Sequence, residues 1–268
     1  MTSGRGMTWG WPLPLVLLLA AAGCGWPSTS APNCARGAEA GPGEPLRVLF
    51  IGNSLTYTNA LPSMLRSLAD SAGELPPEVS DVTAPDYSLE DHWNDGNALR
   101  AIRRGCFDVV ALQQGPSALP ESRVLLLEYT RRFGREIRGR DAEPALYSVW
   151  PSSSRSGDFA AAIESYRLAA AEVDGVLLPA AAAWRAALER DAAVPLYRAD
   201  GLHPTVEGTY LAALVVFARL YGREPVGLPA RLAYRDPAWR QQLTLDIPPA
   251  LAAILQAAAA EALAAGSP

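Results

Sequence analysis

Only two histidines and three cysteines occur in this chain of 268 residues. Neither a C-x-x-C nor an H-E-x-x-H pattern is present, which argues against a zinc site built from those ligands. A basic excess is also missing. Lys and Arg total 23 against 28 Asp and Glu, a net charge of −5, where a nucleic-acid binder would carry a positive face. Charged residues make up 19% and hydrophobic residues 49%. A chain of that length and composition can bury a full core, which excludes wholesale disorder.

The apolar run from Leu13 to Ala22 is too short to cross a bilayer of ~30 Å as a helix. With Arg5 before it and small residues after it, residues 1–24 read as an export signal. The run ends Ala21-Ala22-Gly23-Cys24. This resembles a bacterial lipobox, in which the cysteine is lipidated, although Ala21 stands where Leu is usual. Cys24 is therefore the expected lipid anchor and membrane contact, with simple cleavage near Gly23 as the alternative. Residues 25–45 are rich in Gly, Pro, Ser and Ala without periodicity, the composition of a flexible linker. Cys34 lies in that linker and Cys106 in the body. An exported chain permits a disulfide between them, and two free thiols are the other option.

From Leu46 onward, short apolar runs alternate with helical spacing. Strands are predicted at Arg47–Gly52, Glu78–Thr83, 107–112, 145–149 and 175–178. Helices are predicted at about 61–73, 89–104, 121–138, 158–172, 180–191 and from Pro204 to about Tyr221. This alternation predicts an α/β fold, a three-layer α/β/α sandwich with a parallel sheet of about five strands. Residues 46–230 form the expected domain. Residues 231–268 read as a helical extension packed on it, with a helix from about Ala250.

In such sheets ligands bind beyond the C-terminal strand ends. Gly52-Asn53-Ser54-Leu55 follows the first strand, where Ser54 reads either as a helix cap or as a nucleophile whose own N–H faces a developing oxyanion. A nucleophilic serine needs a base. His203 lies in Asp200-Gly201-Leu202-His203-Pro204, and a carboxylate three residues earlier can reach the imidazole Nδ1 and fix its tautomer. The alternative is an Asp that caps the turn beside a surface His. His92 reads as a surface or supporting residue on the helix after the second strand. Trp150 reads either as a wall of a sugar or acyl pocket or as a core residue.

Gly52-Asn53-Ser54-Leu55 near the start of the body and Asp200-x-x-His203 near its end resemble the SGNH, or GDSL-type, hydrolases over about residues 46–222. The resemblance implies a flavodoxin-like fold and ester hydrolysis by Ser54 as nucleophile, His203 as base and Asp200 as its orienting partner. Asn53 stands where Asp is common. For the oxyanion, the resemblance implies the backbone N–H of Ser54 and a second backbone N–H at the position of Asp86, where the family carries Gly. A carboxylate there would repel an oxyanion. The third block, Leu112-Gln113-Gln114-Gly115, is similar to that of carbohydrate acetylesterases in the same superfamily, which implies a glutamine amide as donor: Gln114 first, Gln113 second. The expected partner is a small-molecule or glycan ester, with neither cofactor nor metal. Acyl transfer by the same triad, a glycan- or ligand-binding lipoprotein and a flavin-type electron carrier are the other readings compatible with the fold.

Overall fold

The computed structural model describes residues 1–2, 43–237 and 240–265. Residues 3–24 of the expected export signal, Cys24 among them, and Cys34 lie outside the described residues.

The strands are β1 (Arg47–Gly52), β2 (Glu78–Thr83), β3 (Val109–Leu112), β4 (Glu143–Tyr147) and β5 (Val176–Leu178). They form one sheet in the order β2-β1-β3-β4-β5, with every pairing parallel. Val48, Leu49, Phe50 and Ile51 of β1 are fully buried, as expected of a strand covered on both faces. β2, at the sheet edge, is largely exposed. The start of β1 is tied to the start of β3. The Arg47 N–H and Nε donate to Asp108 Oδ2 (2.7 and 3.2 Å), and the Arg47 terminal nitrogen donates to Oδ1 (2.7 Å).

The helices are α1 (Ser54–Tyr57), α2 (Leu61–Ser71), α3 (Leu89–Asp95), α4 (Asn97–Arg104), α5 (Pro120–Arg138), α6 (Phe159–Glu172), α7 (Ala180–Arg190), α8 (Val206–Tyr221) and α9 (Pro249–Ala265). One group packs α5 against α3, α4 and α6; another packs α8 against α2, α7 and α9. Residues Gly208–Ala218 of α8 are all buried, because helices cover it as well as the sheet. These layers make the three-layer α/β/α sandwich anticipated from the sequence.

Two elements depart from expectation. The single helix predicted over 89–104 is two, because Gly96 takes a left-handed conformation (φ 76°) that ends α3 and opens α4. The C-terminal extension is not wholly helical. Strands β6 (Arg231–Asp236) and β7 (Gln241–Asp246) form an antiparallel hairpin before α9. Alternation of buried Leu232 and Tyr234 with exposed neighbours is the period-two signal of a half-buried strand.

Register brings the working end of the sheet level. Gly52 pairs with Thr83, Ile51 with Leu112, and Leu112 with Leu146. The loops after β1, β2, β3 and β4 therefore leave from a common rim.

Candidate active site

The first rim loop is built on Gly52 and Asn53. Asn53, not Ser54, caps α1: its backbone is extended (φ −125°) and its Oδ1 accepts the Leu55 N–H at 3.1 Å. Ser54 is thereby freed from the capping role and becomes the first helical residue, where its own N–H has no intrahelical partner. Beneath it, Gln113 Oε1 accepts the Asn53 N–H (2.9 Å) and the Thr56 hydroxyl (2.7 Å). Gln113 Nε2 donates to Asn53 Oδ1 at 3.0 Å. A side chain at position 52 would collide with Gln113 Oε1 and with Thr56 Oγ1, so this close approach requires glycine.

Asp200 and His203 sit at the tip of a loop closed by a bridge between Tyr197 and Pro204. Asp200 Oδ1 accepts the N–H groups of Leu202 (2.8 Å) and His203 (2.9 Å), and Oδ2 lies 2.9 Å from His203 Nδ1. The two backbone donors, then the imidazole, pull the Asp200 carboxyl down to about 2. Gly201 turns the loop at φ 71°, and a Cβ there would lie 2.5 Å from Ser153 Oγ. The loop is pinned to the segment after β4. The Ser153 N–H donates to Gly201 O at 2.8 Å, and the Trp150 indole N–H donates to Leu202 O at 3.0 Å.

Across from this loop, His203 Nε2 stands 2.9 Å from Ser54 Oγ. With the Nδ1 proton directed at the Asp200 carboxylate, Nε2 carries the lone pair and accepts the Ser54 hydroxyl. The structure thus brings Ser54, His203 and Asp200 into one hydrogen-bonded chain, from three sequence positions that span 149 residues between Ser54 and His203. Ser54 opens onto a cavity of about 510 Å³, lined among others by Asp86, Tyr87, Gln114, Leu119, Leu125, Pro151 and Arg155.

The expected oxyanion residues are distributed differently. Asp86 lies on the cavity wall in a left-handed conformation (φ 60°), the backbone state that glycine adopts without strain. This accounts physically for Gly at the matching family position. Gln114 also lines the cavity, but its side chain is engaged: Oε1 accepts the Leu89 N–H (3.1 Å), and Nε2 donates to Ser117 Oγ (2.8 Å) and Ser122 O (3.3 Å). Gln113 does not reach the cavity. Its amide is consumed beneath the Ser54 turn, which corrects its expected place as a second donor.

His92 is not a surface residue. It is 1% exposed; its Nε2 bonds to Gly52 O at 2.8 Å and its ring meets Tyr87 edge-on at 5.1 Å. Burial lowers its pKa, opposed by the Gly52 bond. Trp150 is fully buried and stacked on Trp184 at 3.5 Å, so the adjoining Pro151, and not the indole, walls the cavity. Sequence reasoning missed Tyr166, whose hydroxyl accepts the Gln114 N–H (3.0 Å) and lies 2.8 Å from Gln114 O. It also missed Asn59, which lies four residues past the first motif block and carries no motif signature. Among the described residues, no group of three His, Cys, Asp or Glu side chains is placed to hold a metal.

The strand-end rim of this parallel sandwich thus carries a hydrogen-bonded Ser–His–Asp chain, and similar solved structures with this fold include hydrolases. A candidate SGNH hydrolase from Slackia heliotrinireducens is 27% identical, with a TM-score of 0.58 over 66% of this chain and 100% of that one. A DUF4886 family protein from Bacteroides uniformis is 19% identical, with a TM-score of 0.63 over 82% of this chain and 95% of its own. A catalytic mutant of an acetylxylan esterase from Geobacillus stearothermophilus is 19% identical, with a TM-score of 0.53 over 71% of this chain and 99% of its own. No family model matches the chain, and no curated protein matches it. The chain shares the fold of the SGNH/GDSL-type hydrolases, and these likenesses support that superfamily for it.

Proposed function

We propose that this protein is a serine esterase that hydrolyses acyl esters, acetyl esters of carbohydrates foremost. The observation that carries the reading is the continuous chain from Asp200 to His203 to Ser54, with 2.9 Å at each step, opening on a cavity. Ser54 Oγ attacks the ester carbonyl while its proton passes to His203 Nε2. The imidazolium is stabilised by Asp200 and returns that proton to the departing alcohol. Water then gives its proton to His203 and attacks the acyl-enzyme, which releases the acid and restores the Ser54 hydroxyl.

Backbone N–H groups of Ser54 and Asp86 hold the oxyanion. Gln114 supplies the third donor when substrate takes the place of its long bond to Ser122 O. The carbohydrate preference rests on the Gln113-Gln114-Gly115 resemblance and on the hydroxyls of Ser88, Ser117, Ser122 and Ser152 around the cavity. Cys106 is disulfide-bonded, which supports export to an oxidising compartment. Lipidation at Cys24 completes the reading, and Cys24→Ala should move the protein from the membrane to the soluble fraction.

One observation favours a second reading, a ligand-binding protein of low activity: Asp86, an acidic residue, lines the same cavity as Ser54. A panel of acetylated sugars and nitrophenyl esters separates the two, with Ser54→Ala as control and a fluorophosphonate probe for Ser54. Hydrolysis and labelling that both vanish in Ser54→Ala support the esterase. A folded protein that neither labels nor turns over any ester refutes it.

A further inference from the structure

Asn59 follows Ser54 by five residues, yet its side chain is spent on the loop that carries His203. Its Nδ2 donates to Pro204 O (3.1 Å), Thr205 O (2.9 Å) and Thr209 Oγ1 (2.8 Å), and its Oδ1 accepts from an Arg198 terminal nitrogen at 2.7 Å. Arg198 lies before Asp200 and His203, and Pro204 lies after them. One amide therefore grips both arms of the loop. The arms are also tied to each other, since the Arg198 N–H donates to His203 O at 2.8 Å.

The backbone here is held in an uncommon state. Asn59 (φ 56°) and Ala60 (φ 51°) are both left-handed. Asn tolerates that region better than most residues, whereas Ala does so at a cost that surrounding contacts must offset. The strained pair turns the chain out of α1 so that the Asn59 amide faces α8 and the His203 loop.

We infer that Asn59 is a positioning residue that sets the separation of Ser54 from His203. The inference rests on the reading of those two residues as nucleophile and base. It does not touch the reacting atoms. It fixes the distance between two loops that the sheet alone leaves independent, and a misplacement of about 1 Å at such a pair can cost ~10²-fold in rate.

The test uses Asn59→Gly, which keeps the left-handed backbone and removes the amide, and Asn59→Asp, which keeps the acceptor for Arg198 and loses both donors. Two readouts are taken: kcat and KM on nitrophenyl acetate, and the imidazole resonances followed through a pH titration. Only two histidines are present, so His203 is assigned by comparison with His203→Gln. In both variants kcat should fall about ten- to a hundredfold with KM within about twofold. The His203 resonances should move in the direction that Ser54→Ala moves them, because both changes break the same hydrogen bond. A His203 spectrum that overlays on wild type in both variants overturns the inference, whatever the turnover. A displaced spectrum in a protein that cleaves no ester upholds Asn59 and removes the esterase reading instead. Should Asn59→Gly fail to fold, Thr209→Val deletes one of the three acceptors and should give the same displacement in smaller measure; an unmoved spectrum there also counts against the role.

Discussion

Replacing Asp200 by Asn changes one atom of consequence. Oδ1 remains and can still accept the N–H groups of Leu202 and His203, so the loop keeps its shape. Oδ2 becomes an amide nitrogen 2.9 Å from His203 Nδ1. Two donors cannot face each other, so the imidazole moves its proton to Nε2 and accepts at Nδ1. That places a hydrogen on the nitrogen that faces Ser54 Oγ, where a lone pair is needed. The base is present and wrongly protonated. The equivalent Asp→Asn change in a serine protease triad lowers kcat by ~10⁴. The Asp200 side chain is 49% exposed, so water can partly stand in for it, and the loss here should be about 10²–10³ in kcat. KM should stay within about twofold, because no substrate contact is removed. Steady-state turnover of nitrophenyl acetate measures the effect. Asp200→Ala is the comparison: it loses the loop acceptors too and should lower the thermal midpoint, which Asp200→Asn should leave nearly unchanged. A kcat for Asp200→Asn within about threefold of wild type would refute the reasoning. So would an equal fall in thermal midpoint for both variants.

Three further outcomes follow from the same structure. Asp86→Gly relieves a left-handed non-glycine residue (φ 60°), a strain of about 1 kcal/mol, and clears a carboxylate from the cavity wall; thermal midpoint and kcat should both rise, and a fall in kcat would show that the carboxylate contributes. Gln113→Ala strips partners from the buried Asn53 N–H, Asn53 Oδ1 and Thr56 hydroxyl, so urea unfolding should register a loss of about 2–5 kcal/mol. His92 is held neutral by burial, with no partner for its Nδ1. Its folded pKa is below its unfolded value, so the unfolded chain binds the proton more readily and stability falls as pH drops below about 6.5. Thermal midpoints from pH 8 to 5 should show that decline, and His92→Phe should flatten it.

The five parallel strands were legible because buried strands read as unbroken apolar runs between turn residues. The Ser54, Asp200 and His203 cluster was legible because each side chain stands at a strand end or loop tip with a recognisable spacing. What escaped was decided by tertiary contact. The β6–β7 hairpin shows alternation only at Leu232, Tyr234, Leu243 and Leu245, too brief beside three nearby prolines to outweigh the reading of a helical extension. Gly96 splits a helical pattern that its neighbours would have continued. His92 carries no local sign of burial, and only the fold places its ring under Gly52. Asn59 is polar in a segment without periodicity, and nothing local points to acceptors about 145 residues away.

The two adjacent glutamines show why side-chain identity alone could not assign the oxyanion donor. Side chains leaving a strand alternate in direction. Gln113, immediately after β3, turns toward β1 and fills the space that Gly52 leaves empty. Gln114 turns the other way, toward Leu89, Ser117 and the cavity. The first and third motif blocks are therefore one physical unit. Glycine at 52 is needed because an amide from 113 must pass there, and that amide is needed because Asn53 caps the helix and leaves its own N–H to be satisfied. This buried scaffold holds the turn from which Ser54 meets His203. Substitutions at Gly52 or Gln113 should accordingly act through stability and nucleophile placement together, whereas substitutions at Gln114 should act on turnover with the Ser54 turn intact.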